Sequence, residues 1–510
     1  MEFSEHTASW LHLDESNPDS GRLYVSTEHR ASPAVQSEIA RAMRLRPTLT
    51  LKPVHLSELR LLQLGRSGQA SGSAWSFEQQ QVVKFMKRAG EKLASDIHFI
   101  IGAGNITSVV FRIHGDLELE AELDVKEGMS LASTIVMSMC DVAPQAFSES
   151  DEQDGRLRNE FVEALGLYAA RYSAVPTESG LYVVLRVIRD ESDHMPTLDS
   201  LGYLPEQQRD IRRMLQRPEG IVITAGPTGS GKSTTMRTFC QMYIKLTDGR
   251  RRLVTVEDPV EGLVPKAVQT TILADRNNPE SVTRAWQKRL SAFKRLDPDA
   301  IVVGEIRDGW SAGACFSEGK SGSLVLSTLH ANDATGIVDR LTDTLDIPPG
   351  MVMDSQVVIG LIAQRLVQTL CPSCKKGWSD VRDSLADDDR RLIEQYCDTQ
   401  KVSFRNHAGC SAPGCWHGIT GRRVIAEVIR PDASFMQFFR YLGKLVARSY
   451  WVHHMGGITR GMHLMRYINA GEVDPLDADK FSPLDEDDIN LLSPESLKQH
   501  LAASPERRVP

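Results

Sequence analysis

The residues best suited to chemistry are Gly226 to Ser233, which read Gly-Pro-Thr-Gly-Ser-Gly-Lys-Ser and fit the pattern G-x-x-x-x-G-K-S/T. Glycines let successive backbone N–H groups point at phosphate oxygens, and a helix that begins after them adds its positive end. Lys232 is expected to reach the β- and γ-phosphates of a nucleotide, and the Ser233 hydroxyl to ligate Mg²⁺. The predicted phosphate-binding residues are Gly226, Thr228, Gly229, Ser230, Gly231, Lys232, Ser233 and Thr234. The alternative is an ordinary glycine-rich turn.

Short apolar runs predict the sheet that positions this loop. They stand at 221–223, 253–256, 300–303 and 324–327, and segments with helical periodicity, such as 282–293, lie between them. Strands that are apolar throughout and alternate with helices are typical of a parallel sheet covered on both faces. We therefore expect an α/β fold with a largely parallel, buried sheet.

Three further candidate residues stand at or just beyond the ends of these runs. Glu257 and Glu305 each follow a strand, and His330 comes shortly after a third. Ligands of open α/β sheets bind at the carboxyl ends of strands, so one carboxylate can orient or deprotonate water while another holds Mg²⁺ directly or through water. Position 304, where many phosphate-loop enzymes carry a Mg²⁺-binding aspartate, is glycine. Glu305 is therefore expected to act on Mg²⁺ through water, outside the ion's direct ligands. The alternatives are solvated loop carboxylates and a structural histidine.

Four of the eight cysteines form a C-x₂-C pair, Cys371 and Cys374, and a C-x₄-C pair, Cys410 and Cys415. Four soft thiolates in two close pairs suit tetrahedral Zn²⁺ with no open position, which predicts a structural site. His407 or His417 remains an alternative ligand, and a metal-free cluster is the other alternative. The intervening segment, including 380–391, is polar and acidic, so little apolar burial is expected there.

Composition limits the class of protein. The chain has 510 residues and a net charge of -8, from 59 Lys and Arg against 67 Asp and Glu, and only 6% of its residues are aromatic. This balance and the absence of a basic block argue against nucleic-acid binding. No apolar stretch approaches the roughly 18 residues needed to span a bilayer, so a cytoplasmic protein is expected.

Upstream of the loop, the sequence predicts a separate α/β unit behind a linker. An early helix should cover 34–43 with Ser32 as N-cap, and 65–73 should be flexible. The later predictions are a helix from Phe77, strands at 97–101 and 109–113, a helix at 159–170, a strand at 181–188, a hinge at 190–196 and a helix at 205–215. Arg186 interrupts an apolar strand, and its simplest interpretation is a surface charge at the strand end.

Several segments together resemble the hexameric ATPases of type II secretion and type IV pilus assembly. Residues 226–235 look like the Walker A motif of that family, 255–261 its aspartate box, 297–308 its Walker B motif and 327–333 its histidine box. Residues 94–98 and 110–115 resemble its PAS-like domain, and 362–374 and 409–422 its metal subdomain, which retraction ATPases generally lack. The resemblance covers roughly residues 77–430.

The resemblance implies an ATP-hydrolysing homo-hexamer, with a RecA-like P-loop domain preceded by a PAS-like domain, that works peripherally at the inner membrane through a platform protein. It implies Glu257 as general base, Glu305 in the Walker B role and His330 as γ-phosphate sensor. Arg171 and Arg186 match two arginines that reach the phosphates. The implied cofactors are ATP, Mg²⁺ and structural Zn²⁺. Three sites depart from the family pattern: 321–323 lacks a first histidine, 309–312 differs after Walker B, and the second cysteine pair is wider.

The predicted domains are 1–64, a linker 65–76, a PAS-like domain 77–195, a P-loop domain 196–370, a metal subdomain 371–424, a helical region 425–481 and a mobile tail 482–510. Within the helical region we expect one helix at 435–446 and a closing helix at 461–471. The functional expectation is an assembly motor of a compact pilus system, such as a plasmid-borne thin pilus. The alternatives are a hydrolysis-poor, ATP-gated docking subunit and a retraction motor. A DNA-translocating motor is disfavoured by the acidic balance.

Overall fold

The computed structural model describes most of the chain in three folded parts. The described residues are 3, 7, 10–14, 21–26, 29–30, 32–46, 49–54, 75–142, 146–192, 194–272, 279–293 and 295–503. The predicted linker at 65–73 and the last tail residues, 504–510, lie outside them. Among the described helices, none combines the length and apolar character needed to cross a bilayer.

The described residues of a small N-terminal module form a three-stranded sheet of order β1-β2-β3 and one helix. Its elements are β1 Leu11–Asp14, β2 Arg22–Ser26, the helix Pro33–Leu45 and β3 Thr50–Val54. The helix buries Val35, Ile39 and Ala42, which recur at helical spacing and face the sheet. The predicted helix is confirmed, with proline at its start, although the side chain of Ser32 makes no capping hydrogen bond.

The next part, residues 75–190, is the antiparallel-sheet domain. Its seven strands have the order β6-β5-β4-β10-β9-β8-β7. They are β4 Ala94–Ile101, β5 Thr107–Ile113, β6 Asp116–Leu123, β7 Cys140–Val142, β8 Gln153–Leu157, β9 Leu167–Thr177 and β10 Gly180–Arg189. The helices are Phe77–Glu91, Val125–Thr134 and Asn159–Val162, with shorter turns at Ala103–Asn105, Ile135–Met139 and Glu163–Leu165. The two long helices cover one face, where residues such as Phe85 and Phe111 are buried.

The helix predicted over 159–170 is wrong beyond its first turns. The α-helix ends at Val162, and after a short turn the chain enters β9 at Leu167. Gly166 adopts a left-handed conformation with φ of 68°, which ends the turn. Alternating burial then follows, because Ala170, Tyr172 and Ala174 are buried in the core of this domain while Arg171 is half-buried and Ser173 is exposed. The apolar residues suit a half-buried strand as well as a helix.

The largest part is the parallel-sheet domain, residues 198–503, whose seven strands have the order β13-β12-β14-β15-β11-β16-β19. They are β11 Gly220–Ala225, β12 Leu253–Glu257, β13 Val268–Thr271, β14 Ala300–Val303, β15 Leu324–Leu329, β16 Val358–Leu370 and β19 Ile419–Ile429. All neighbouring pairs are parallel except the last, in which β19 runs antiparallel to β16. The predicted parallel sheet is confirmed.

Helices cover both faces of this sheet, which explains the apolar strands. One face packs Pro205–Leu215 and Lys232–Leu246, and the other packs Pro279–Phe293 and Gly309–Lys320. Ile221 and Ile223 face the second set while Val222 faces the first, so each residue of the strand is buried. Shorter helical segments are Leu198–Leu201, Gly336–Asp339, Arg340–Thr344 and Pro349–Val352.

Between β16 and β19 lies the cysteine insertion, residues 371–418. It contains β17 Lys376–Gly377, β18 Ser403–Phe404 and the helical segments Trp378–Val381, Arg382–Ser384 and Asp387–Tyr396. The expectation of little apolar burial is wrong, because Ile393, Val402 and Phe404 are buried in a cluster that also includes Leu464 and Ile468 from the C-terminal helices. The predicted boundary at 424 also cuts through β19, which belongs to the main sheet.

The C-terminal helices are Ala433–Leu442, Lys444–Met455, Arg460–Ile468, Pro475–Asp479, Glu486–Asn490 and Pro494–Ala503. The single helix predicted over 435–446 is wrong, because Gly443, with φ of 86°, separates two helices. The mobile tail is also wrong for residues 482–503. Leu484 and Leu497 are buried, and Glu486 forms an ion pair with the buried Arg460, so the acidic run is part of the packed structure.

Candidate functional site

The glycine-rich loop connects β11 to the helix Lys232–Leu246, at the carboxyl end of the sheet. A Cβ on Gly226 would lie 2.4 Å from the backbone oxygen of Gln364, and Gly229 and Gly231 have φ of 79° and 83°. The three glycines are therefore required by a close approach and by left-handed backbone. Lys232 donates from Nζ to the backbone oxygens of Gly226 at 2.7 Å and Pro227 at 3.1 Å, which folds its ammonium group over the loop.

Polar side chains from neighbouring elements support the loop from below. Gln364 on β16 donates to the backbone oxygen of Ser230 at 2.7 Å, and its side-chain oxygen accepts from the Tyr203 hydroxyl at 2.7 Å. Both of these supporting residues are almost fully buried. The loop is therefore held by its own helix and by a buried hydrogen-bond chain from β16.

Glu257 ends β12 and is half-buried. Its Oε1 accepts from the Thr255 hydroxyl at 2.6 Å and from the Gln269 amide at 3.2 Å. Burial raises the pKa of Glu257, and these two hydrogen bonds oppose the rise without cancelling it. A carboxyl group with a raised pKa beside a loop of this kind is suited to accept a proton.

Glu305 and His330 come together at the ends of β14 and β15. The Nε2 of His330 lies 2.8 Å from Oε1 of Glu305, and Arg307 donates from Nε to Oε2 at 2.7 Å. Arg307 also donates to Asp258, the residue after Glu257, at 3.3 Å. It therefore links acids that follow β12 and β14. A carboxylate fixed on both oxygens keeps its direction, so this group can orient a ligand or a water molecule.

Arg171 and Arg186 come from the antiparallel-sheet domain, where they are directly opposite each other on β9 and β10. Arg186 donates from Nε to Asp96 at 3.0 Å, and Arg171 contacts Glu261 of the parallel-sheet domain at 3.3 Å. Asp96 holds the pKa of Arg186 above its usual value, although burial acts in the other direction. The two guanidinium groups therefore form a cationic pair that faces the glycine-rich loop across the domain boundary.

One cleft of about 510 Å³ brings these groups together. Its lining includes Thr228, Gly229, Ser230, Gly231, Lys232, Ser233, Thr234, Glu257, Glu305, His330, Arg171 and Arg186. Gly226 lies at the start of the loop but lines a neighbouring pocket. Oriented N–H groups, an ammonium, two guanidiniums and two carboxylates in one cleft can hold a polyanion and direct a water molecule at it.

The four predicted cysteines also meet. Their Sγ atoms lie within 4.8 Å of one another, with Cys371 and Cys410 at 3.8 Å and Cys374 and Cys415 at 3.9 Å. A Zn–S bond of about 2.3 Å in a tetrahedron gives S···S separations of about 3.8 Å, which the two measured distances match, so the cluster fits a Zn²⁺ ion. His417 lies beside the cluster but directs Nδ1 toward the backbone oxygen of His407 at 3.3 Å, and neither histidine belongs to the group.

Several residues of the cleft were not predicted from the sequence. Thr255, Gln269 and Arg307 orient the two glutamates, and Gln364 supports the loop. Thr255 and Arg307 lie within two positions of a predicted acid, so proximity in sequence is a usable signal. Gln364 lies in an apolar strand, where a lone buried amide would have been the only indication.

The fold and the cleft define an α/β protein built around a glycine-rich strand-to-helix loop, with acids at the ends of neighbouring parallel strands. The family described as type II/IV secretion system protein matches residues 75–447. The chain belongs to this family, and the resemblance noted in the sequence is confirmed.

Two curated relatives illustrate the similarity. The chain is 34% identical over 346 residues to the type II secretion system ATPase E of Vibrio cholerae serotype O1, covering 68% of this chain and 63% of that protein. It is 32% identical over 358 residues to the type IV pilus assembly ATPase PilB of Thermus thermophilus, covering 70% of this chain and 38% of that protein. The chain thus spans less than two thirds of the length of either protein.

Solved structures resemble the chain in fold. A crystal structure of the pilus retraction motor PilT with bound ADP matches with a TM-score of 0.52 at 22% identity, covering 82% of this chain and 99% of that one. The Legionella pneumophila ATPase DotB matches with a TM-score of 0.50 at 18% identity, covering 86% and 98%. At such identities, the likeness supports the mixed α/β fold alone.

Proposed function

We propose that this chain is a cytoplasmic ATPase motor, a homo-hexamer that powers assembly of a type IV pilus or a type II secretion pseudopilus through an inner-membrane platform protein. The observation that carries this proposal is the convergence of Lys232, Glu257, Glu305 and the Arg171–Arg186 pair on one cleft. Membership of the secretion protein family and relatives named as ATPases support the same conclusion.

The cleft suggests a division of labour for hydrolysis. Lys232 and the loop N–H groups bind the phosphates of ATP, and Glu257 accepts a proton from the attacking water. The raised pKa of Glu257 makes it a stronger base than an exposed carboxylate. His330, hydrogen-bonded to Glu305, contacts the γ-phosphate and reports its presence. Arg171 and Arg186 stabilise charge on the transferred phosphoryl group, which couples hydrolysis to the position of their domain.

Metal ions have separate roles in this proposal. Ser233, in the first turn of the helix after the loop, and Glu305, acting through water, would hold Mg²⁺, since both line the cleft and both offer oxygen. Bound Mg²⁺ neutralises phosphate charge. The four cysteines hold a structural Zn²⁺, as their spacing allows.

In the same proposal, the antiparallel-sheet domain corresponds to the PAS-like domain, and the parallel-sheet domain to a RecA-like motor.

Two other functions of the same fold need to be separated from this one. A docking subunit that binds ATP but hydrolyses it poorly would share the loop but not an oriented base, and Glu257 is held by two hydrogen bonds. A retraction motor would share the whole cleft, but the family resemblance indicates that retraction ATPases generally lack the metal subdomain that the four gathered cysteines would form.

The test is steady-state phosphate release by the purified oligomer with Mg²⁺ and ATP, compared with a Glu257→Gln variant. Glu219→Gln is the matched control, because Glu219 is exposed and lies just before β11, at the opposite end of that strand. We expect hydrolysis by the parent and the control and little by Glu257→Gln. Tight ATP binding without phosphate release by the parent would instead support the docking subunit.

A further inference from the structure

The tip of the hairpin between β5 and β6, residues 114–118, contacts the parallel-sheet domain and its cysteine insertion. Gln368 on β16 donates to the backbone oxygen of His114 at 3.0 Å and to Asp116 at 3.1 Å. Arg405 of the insertion lies 3.3 Å from Asp116, and its side chain is only 9% exposed. This edge of the antiparallel sheet is therefore held by polar contacts from the neighbouring domain.

Trp416 completes the contact from the cysteine insertion. Its indole N–H donates to Glu118, its ring lies edge-on to His114 with centroids 6.3 Å apart, and its apolar surface packs against the core of the antiparallel-sheet domain. The guanidinium of Arg405 lies over the same ring, 5.7 Å from its centroid. A tryptophan that belongs to one domain and packs into the core of another joins the two.

The backbone around Trp416 is fixed by the cysteine cluster. Cys415 is the adjacent residue, and the N–H of Cys371 donates to the backbone oxygen of Gly418 at 2.7 Å. Trp416 and Ile419 exchange two backbone hydrogen bonds where β19 begins. Any ion held by the four thiolates therefore also fixes the segment that carries the tryptophan.

The edge strand β6 is connected to Arg171 and Arg186 through the hydrogen-bonded strands between them. A row of opposite residues crosses the sheet from Arg171 through Arg186, Asp96 and Arg112 to Leu117. Leu117 lies in the hairpin tip next to Glu118, and Arg186 is bonded to Asp96 within the row. Because hydrogen-bonded strands move together, a contact at the tip can set the direction in which the arginines face the cleft.

We propose that Trp416 is a positioning residue that joins the cysteine cluster to the antiparallel-sheet domain and thereby holds Arg171 and Arg186 against the nucleotide cleft. The proposal rests on the proposed function for its catalytic part. It assigns the cysteine cluster a role in coupling the two domains, beyond stabilising its own loop.

The first experiment compares amide hydrogen exchange and ATP turnover in the parent and in Trp416→Ala, with bound Zn²⁺ measured by elemental analysis. We expect faster exchange over residues 114–119 and about a 10-fold lower kcat, since mispositioned arginines stabilise the transition state less well. Nucleotide affinity should stay within about 2-fold, because the phosphate loop is untouched. Trp416→Phe, which keeps the ring but loses the N–H donor, should recover part of the turnover.

A second pair of variants tests the contact from the other domain, far from the thiolates. Glu118→Gln weakens the charge-assisted hydrogen bond from Trp416, whereas Glu122→Gln changes an exposed glutamate on the same strand. Only the first should accelerate exchange at 114–119. Glu118 also forms an ion pair with Lys92 of its own domain at 3.2 Å, and Lys92→Gln removes that pair alone. Should Trp416→Ala lose its Zn²⁺, Glu118→Gln decides the outcome, since it leaves the insertion intact; exchange no faster than in Lys92→Gln would overturn the contact.

Chelation of the metal provides the third arm. Stripping Zn²⁺ from the parent should accelerate exchange at 114–119 as much as Trp416→Ala does, and should add nothing at these residues in that variant. Unchanged exchange in both Trp416→Ala and Glu118→Gln would overturn the contact, and faster exchange with unchanged kcat would overturn the positioning role. A parent that releases no phosphate would instead overturn the proposed function, while the exchange result still judges the contact.

Discussion

The two seven-stranded sheets supply the cleft in different ways. The parallel sheet is covered on both faces, so its functional groups stand where strands end: the loop after β11, Glu257 after β12 and Glu305 after β14. The antiparallel sheet has helices on one face, and its arginines project from the middle of β9 and β10 on the other. The strand-end groups belong to the same sheet as the glycine-rich loop, so their distance to it is fixed. The mid-strand arginines belong to the other sheet, so their distance to the loop depends on how that sheet is oriented.

The comparison predicts unequal consequences of mutation. Removing a strand-end group should abolish a chemical step, because no neighbouring element can replace it. Removing a mid-strand arginine should reduce the rate but leave binding and the fold intact. The following predictions test that difference.

The largest effects are expected in the parallel sheet. Lys232→Ala should remove most nucleotide affinity or turnover, since this ammonium meets phosphate charge in both the ground and transition states. Glu257→Gln should keep ATP binding but lower turnover by about 10²-fold or more, because a base matters only when water attacks.

Nucleotide titration and phosphate release distinguish Lys232→Ala from Glu257→Gln. Equal turnover in Glu257→Gln and the parent would remove Glu257 from the mechanism.

A smaller effect is expected in the antiparallel sheet. Arg186→Ala should lower kcat by a factor on the order of 10 and leave nucleotide affinity nearly unchanged, because the guanidinium acts on developing charge. Arg382→Ala is a suitable control, since that arginine is exposed in the cysteine insertion. If kcat is unchanged in an intact oligomer, Arg186 is only a partner of Asp96 and the distinction between the sheets loses its functional meaning.

Loss of the metal should leave most of the cysteine insertion folded. Purified protein should contain about one Zn²⁺ per chain, and either Cys371→Ser or Cys410→Ser should abolish its binding. Because the insertion buries Ile393, Val402 and Phe404 against the C-terminal helices, metal loss should expose the segment 405–418 to proteases rather than unfold the whole insertion. Nucleotide should still bind. Zn²⁺ that survives both substitutions but is lost on replacing His407 or His417 would give the site different ligands.

The mildest test changes only the acidity of the base. Thr255→Val removes a hydrogen bond that lowers the pKa of Glu257, so its pKa, already raised by burial, should rise further. Because Glu257 must be deprotonated to act, the acidic limb of the kcat–pH profile should move to higher pH. Thr224→Val is the control, since its buried hydroxyl has no hydrogen-bond partner among the described residues. A shift in the opposite direction would contradict the assignment.

The sequence predicted the parallel sheet far better than the regions around it. A strand such as β11 is apolar at every position because both faces are buried, and the glycine loop after it has few structural alternatives. The segment 159–170 misled because a half-buried strand and an amphipathic helix can share one apolar composition over a few residues. The tail misled for another reason. Glu486 pairs with the buried Arg460, and nothing in the acidic run itself indicates that contact.

Residue roles followed the same division. Lys232, Glu257 and Glu305 could be chosen by their place after apolar runs, and the cysteines by their spacing. From the strand pattern alone Arg186 looked like a surface charge, and only the family resemblance predicted a role at the phosphates, since that role depends on facing another domain. Gln364 had no local signal either, because its partners belong to elements far away in the chain.

The support of the glycine-rich loop by Gln364 has a consequence for biosynthesis. The loop leaves the ribosome first, and the amide that supports it follows 134 positions later. Strand β16, which carries that amide, also pairs directly with β11. A nascent chain halted before residue 358 therefore exposes an unpaired edge of β11, which is a template for aggregation. Chaperone binding over this interval would protect the chain until the strand beside the loop has been made.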